Sequence, residues 1–195
     1  MNSPRASATS AAPPMGADLI PANTARLLVG GGLLPFVALS GGSVLMDGAH
    51  AALFHFPLVA YGAVILSFVG ALHWGIALSH PAASLRDRKV MIGWSVVPAL
   101  LGWAAMLLMP GPDLLVLATA FWAHLGFDVR AVRRLAMPGW YLPLRFVATA
   151  IASLSLMLPV MAGNGSDMAD PHLWLKGAAT STQILPAPAR THTAV

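Results

Sequence analysis

The sequence predicts an all-α membrane protein: a bundle of five transmembrane helices with its N-terminus in the cytoplasm and its C-terminus outside. Three observations carry that expectation. The first is composition. Of 195 residues, 57% are hydrophobic and only 9% are charged, and the mean hydropathy is +0.72. Soluble domains carry about 25% charged residues, and a chain this poor in charge cannot cover a water-facing surface. An ordinary soluble enzyme, a nucleic-acid-binding domain and a disordered chain are excluded together. The second is the occurrence of five apolar runs of spanning length, which takes about 20 residues of helix. The third is the placement of the basic residues, in short clusters that alternate along the chain.

Taken in order, residues 1–23 are rich in Ser, Ala and Pro with Arg5 as their one basic residue, and they read as a disordered tail with neither a secretory signal nor a presequence pattern. The transmembrane domain is expected at 24–162. Its first span is 26–46, with Pro35 near the middle, and its second is 56–79, after a loop that holds Asp47, His50 and His55. The third, 90–109, contains Pro98; prolines are tolerated in membrane helices, where they produce kinks. Pro110-Gly111-Pro112 then forces a tight turn. The fourth span is 113–132, the fifth is 142–162, and 163–195 is a polar C-terminal tail.

Orientation follows from the Lys and Arg count. One side of the expected bundle holds nine: Arg5, Arg26, Arg86, Arg88, Lys89, Arg130, Arg133, Arg134 and Arg145. The other side holds only Lys176 and Arg190, in the final tail. Positive loops stay inside, so the side with nine is cytoplasmic. The net charge of +4 therefore reflects topology and not a nucleic-acid partner.

Within the second span, Gly62, Ala63, Leu66, Ser67, Gly70, His73, Trp74 and Ala77 share one face at 100° per residue. A ladder of small residues at spacing four, Ala63, Ser67, Ala71 and Gly75, runs through it. Small residues let helix backbones approach closely in lipid, so this face is expected to be the packed one and the helix central. In the fourth span Leu117, Ala120, Phe121, His124 and Asp128 share a face, and His124 and Asp128 stand four apart. Arg145, Thr149, Ala152 and Ser153 share a face of the fifth.

His73 is the most deeply placed ionisable group. It lies six residues before Ser79, and His124 lies six before Arg130, so the imidazoles should sit at comparable depth. One account of His73 is a hydrogen bond that holds neighbouring helices together. The other is an intramembrane polar cluster of His73, His124, Asp128 and Arg145 that binds an anion or passes protons. Paired catalytic carboxylates, H-E-x-x-H, P-loop and G-x-S-x-G patterns are all missing. With no cysteine, thiolate metal sites and iron–sulfur clusters are excluded. No metal and no cofactor are expected, and the two loop histidines, His50 and His55, carry too few companion ligands to change that.

The stretch from Tyr61 to Phe68, continuing through Gly70 to His73-Trp74-Gly75, resembles domain-of-unknown-function family 3429, small inner-membrane proteins related to the mitochondrial transmembrane protein 69. Leu34-Pro35-Phe36, Gly93 to Pro98, and Trp140 to Arg145 add to the likeness, which extends from about residue 27 to 158. The resemblance implies five spans and the bacterial inner membrane, and it implies no activity.

The functional expectation is a non-enzymatic accessory or packing partner whose associates are the lipid bilayer and another membrane protein or a second copy, with no nucleic acid. Two rivals come from other classes: a redox protein holding haem b between two facing histidines, and a small-solute or proton carrier, weakened by the lack of an internal repeat. Orientation has a direct test. A reporter enzyme active only outside the cytoplasm should be active when fused after Gly163 and silent when inserted between Arg86 and Lys89; the opposite pattern overturns the assigned topology.

Overall fold

The structure, a computed structural model, describes residues 22–46, 49–81, 83–135 and 137–163. Of the tails expected at 1–23 and 163–195, only Ala22, Asn23 and Gly163 are among these residues, and the first two are already helical. The described residues form five helices: α1 (Ala22–Leu45), α2 (Ala49–Ser79), α3 (Leu85–Ala105), α4 (Pro112–Leu135) and α5 (Tyr141–Met161). By length and composition, α1, α2, α4 and α5 can each cross a membrane. The remaining helix, α3, gives its first turn to Arg86, Asp87, Arg88 and Lys89 and ends at Ala105. Its apolar stretch is therefore shorter than the expected 90–109.

The start of α2 is the larger departure. It begins at Ala49, seven residues ahead of the expected 56, and turns the region of His50 and His55 from loop into helix. Pro57 does not stop it, because neighbouring helices can satisfy a freed backbone carbonyl.

Each helix packs beside its chain neighbours, α5 closes back on α1, and α2 touches all four others. Two buried contacts at its opposite ends, His55 with Asp113 and His73 with Asp128, show that α2 and α4 run in the same direction. Between them lies an apolar core of Leu58, Leu66, Leu117, Phe121 and Leu156 around Phe36. The Phe36 ring meets Tyr61 edge-on at 5.0 Å and Phe121 at 6.0 Å. The outer surface is also apolar: Leu27, Phe68, Trp103 and Met161 are 62–81% exposed. Apolar groups on both sides of a helix are what a hydrocarbon solvent allows and water does not.

Close backbone approach holds α2 to α3. A Cβ on Gly70 would lie 2.9 Å from the Ser95 carbonyl oxygen and 3.0 Å from Pro98 Cβ. One on Gly102 would lie 3.0 Å from the Ala63 carbonyl oxygen. The packed face of α2 is thus Gly62, Ala63, Leu66, Gly70, His73 and Ala77, all buried. The small-residue ladder departs from it. Ser67 is half-buried, bonding its own helix at Ala63 O over 2.7 Å. Ala71, Trp74 and Gly75 are exposed. The reason is angular: a step of four residues turns about 400°, so the ladder drifts about 40° per step and leaves the interface after two.

The turn between α2 and α3 is closed by Arg88. Its guanidinium donates to the carbonyls of Ala77, Leu78 (3.3 Å) and His80 (3.0 Å), and its Nε to Ala83 (3.1 Å). These include carbonyls the end of α2 leaves unpaired, so a charge counted for topology also caps a helix. Ser84 caps α3, accepting from the Asp87 amide at 3.2 Å and donating to Asp87 Oδ2 at 2.6 Å. That hydroxyl holds the Asp87 carboxyl below its ordinary range.

Overpacking a tight contact costs about 1–3 kcal/mol. Gly70→Leu and Gly102→Leu should therefore lose at least that much, read as a lower melting temperature or loss of monodisperse protein in mild detergent. Ala71→Leu, on the open side of the same helix, should behave as wild type.

A buried carboxylate at the convergence of four helices

Asp128 is placed by α4, whose buried stripe includes Leu117, Ala120, Phe121, His124 and Asp128. The stripe is one-sided because these residues recur at spacings of three and four. It carries the carboxylate into the bundle at 1% exposure. An ionised group there is costly unless charges and donors surround it. They come from α2, α5 and α4 itself. Arg145 of α5 donates Nε–H to Oδ2 at 2.7 Å, and Tyr141 one turn earlier donates its hydroxyl to Oδ1 at 3.3 Å. His73 of α2 brings Nε2 to 3.1 Å from Oδ1, at ion-pair distance but off the line of a hydrogen bond. His124 Nε2 stands 3.9 Å from Oδ1, so the i,i+4 pair is a near neighbour and not a hydrogen bond.

The imidazoles of His73 and His124 meet edge-to-face with centroids 4.9 Å apart, each 1% exposed. Trp94 of α3 fixes the second. Its indole Nε1–H donates to His124 Nδ1 at 3.1 Å, and its ring stacks on Phe127 at 4.7 Å. An indole can only donate, so His124 Nδ1 holds a lone pair and the proton of the neutral ring is on Nε2. The structure thus brings His73, His124, Asp128 and Arg145 together. It adds Trp94 and Tyr141, which the sequence reading had left out of any site. The signal available for them was chemical: buried Trp and Tyr need partners for their N–H and O–H.

His73, His124 and Asp128 each offer one atom within 4.8 Å of the others, enough in number for a metal. The protonation pattern opposes it. A metal-ligating imidazole donates its other N–H to an acceptor, whereas His124 faces a donor, and Arg145 already draws on the carboxylate. Haem b between the two histidines, the redox alternative raised above, does not fit either: rings in edge contact leave no space for a macrocycle.

A second buried pair lies at the other end of α2 and α4. His55 and Asp113 are 6% and 4% exposed, with Nε2 to Oδ2 at 2.7 Å. Asp113 Oδ1 accepts the amides of Gly111 (2.9 Å) and Leu114 (2.7 Å), which fixes it at the N-terminus of α4. The sequence reading set both residues outside any site, because it placed His55 in a loop. His50 is exposed and does not join them.

With this geometry in view, comparison with known proteins is informative. The family described as "Protein of unknown function (DUF3429)" matches residues 21–161. Transmembrane protein 69 of Xenopus tropicalis is 33% identical over 132 residues, covering 65% of this chain and 49% of that protein. Its counterpart of the same name in Mus musculus is 26% identical over 133 residues, covering 68% and 54%. The chain thus spans about half the length of these curated relatives. No solved structure matches it.

Removing one partner of a buried ion pair costs about 3–5 kcal/mol, whereas replacing both with apolar groups is often near neutral. Arg145→Met should therefore destabilise the protein by about that amount, and adding Asp128→Leu should recover most of the loss. Thermal unfolding of single and double variants in detergent checks this; a double variant no more stable than Arg145→Met would mean that the charges are not coupled.

Proposed function

The chain belongs to the DUF3429 family, and from that premise we propose that it is a five-span protein of the bacterial inner membrane, with its N-terminus in the cytoplasm, acting as a non-catalytic accessory subunit. The nine-to-two distribution of basic residues supports the orientation. It calls for α3 as the fifth span, shortened at its charged first turn. The word transmembrane in the names of the relatives supports a membrane setting.

The observation that carries the accessory reading is that the carboxylate at the centre of the polar cluster is buried and already engaged by its neighbours. Asp128 has Arg145 on one oxygen and Tyr141 and His73 on the other, and His73, His124 and Asp128 are each 1% exposed. A turnover site needs a reacting atom within reach of its acid or base, and here the carboxylate is used in joining α4 to α2 and α5. Its product is a rigid apolar exterior. A proton carrier is the rival with the most to recommend it, because both ends of the α2–α4 pair hold a buried His–Asp contact. The core between them, Leu58, Ala63, Leu66, Leu117 and Phe121, supplies no relay.

Purification of the full chain in mild detergent is the test, combined with crosslinking in native membranes. The accessory reading expects one associate at fixed stoichiometry, either another membrane protein or a second copy, and a featureless visible spectrum. A monomer without associates, or proton flux in reconstituted vesicles abolished by Asp128→Asn, overturns it.

A further inference from the structure

The outer end of α2 and α4 differs from the Asp128 cluster in one respect: its buried His–Asp pair lines a cavity. His55 Nε2 lies 2.7 Å from Asp113 Oδ2, and in the neutral tautomer that donates there the other ring nitrogen is an acceptor. Asp113 is held by the Gly111 and Leu114 amides and has nothing further to offer the ring. Nδ1 of His55 is buried with no hydrogen-bond partner. A group left so is destabilising, and a ligand that supplies a donor recovers that cost.

His55 and Asp113 line a cavity of about 200 Å³. That exceeds the roughly 150 Å³ in which a benzene ring fits, so it accommodates a single substituted ring. The rest of the lining is apolar, with Phe56, Val59, Met106 and Leu108 prominent. Phe56, Met106 and Leu108 are 63%, 39% and 44% exposed, so the mouth opens along the apolar outer surface. Access is from hydrocarbon, and the occupant is soluble in it. A ring entering between Phe56 and Met106 approaches the His55 side of the cavity.

We propose that this cavity binds the hydroxylated ring of an uncharged membrane amphiphile of the quinol class, its O–H donating to His55 Nδ1 and its tail remaining in the bilayer. Asp113 is the positioning residue: it sets which ring nitrogen of His55 accepts. The step is binding alone, with no electron or proton transferred. It stands independently of the accessory reading, since it uses neither the Asp128 cluster nor any partner.

The test titrates the full chain in detergent micelles with a decyl-substituted benzoquinol and, separately, with the corresponding benzoquinone, which lacks the hydroxyl hydrogen. Calorimetry against empty micelles should give saturable one-site binding of the quinol, with the quinone at least about tenfold weaker, as for one lost hydrogen bond. His55→Gln should weaken the quinol to the level of the quinone. Leu108→Trp fills the cavity without touching the His55–Asp113 pair, and it should abolish saturable binding while the circular dichroism spectrum stays unchanged. Non-saturable partitioning in the wild type, equal or tighter binding of the quinone, or full binding by a folded Leu108→Trp protein each overturns the proposal.

Discussion

A carboxylate that is 1% exposed inside a bundle of helices has exchanged nearly all its water for protein groups, and the lower half of this molecule is arranged around that exchange. Arg145 supplies the opposite charge, Tyr141 a hydroxyl and His73 an imidazole at close range. Each donor belongs to a helix that has to be in register for the contact to exist. His73 in turn rests on His124 and Phe127, and Trp94 holds His124 from the far side. One charge therefore specifies the relative rotation of α2, α4 and α5, and Trp94 ties α3 to them through His124. Van der Waals packing alone would leave several near-equal rotations open, because hydrocarbon exerts no hydrophobic preference among apolar faces.

Away from that charge, stability comes from contact distance. Gly70 and Gly102 let α2 and α3 meet backbone to side chain with no room for a methyl group. The same two helices are joined at their turn by Arg88. The His55–Asp113 pair does at the other end of α4 what Asp128 does near its C-terminal end, but with backbone amides in place of an arginine as the stabilising donors.

Much of this was open to reading from the residues, and the failures have identifiable causes. Apolar length and the rarity of charge announce five helices, and the Tyr61–Gly75 stretch announces the family that matches residues 21–161. Counting 1.5 Å per residue from the C-terminal ends of the second and fourth spans puts His73 and His124 at one height, and their rings lie 4.9 Å apart. Trp94 was not legible as part of the cluster, because which side of α3 faces α4 depends on the close approach at Gly70 and Gly102. The spacing-four ladder misled for a geometric reason: Ala71 and Gly75 are small, but rotation carries them out to the surface. His55 was misplaced because a helix expected to begin after Asp47, His50 and His55 starts before the two histidines. Composition does not register how far a membrane helix continues past its apolar run.

The dependence of Asp128 on Arg145 also imposes an order on biogenesis. The two are 17 residues apart in sequence, and the chain is made from its N-terminus at about 5–20 residues per second. The fourth helix is therefore complete on the order of a second before its counter-ion has been synthesised, and an unpaired Asp128 within a membrane helix is costly. His73 is already present by then, 55 residues earlier in the chain, as are Trp94 and the hairpin closed by Arg88. The first three helices thus form a waiting half-socket that shelters the acid until α5 arrives to neutralise it. A nascent chain stalled within that interval would display an unfinished polar seam inside the membrane, the kind of feature by which quality-control proteases tell an unassembled segment from a finished protein.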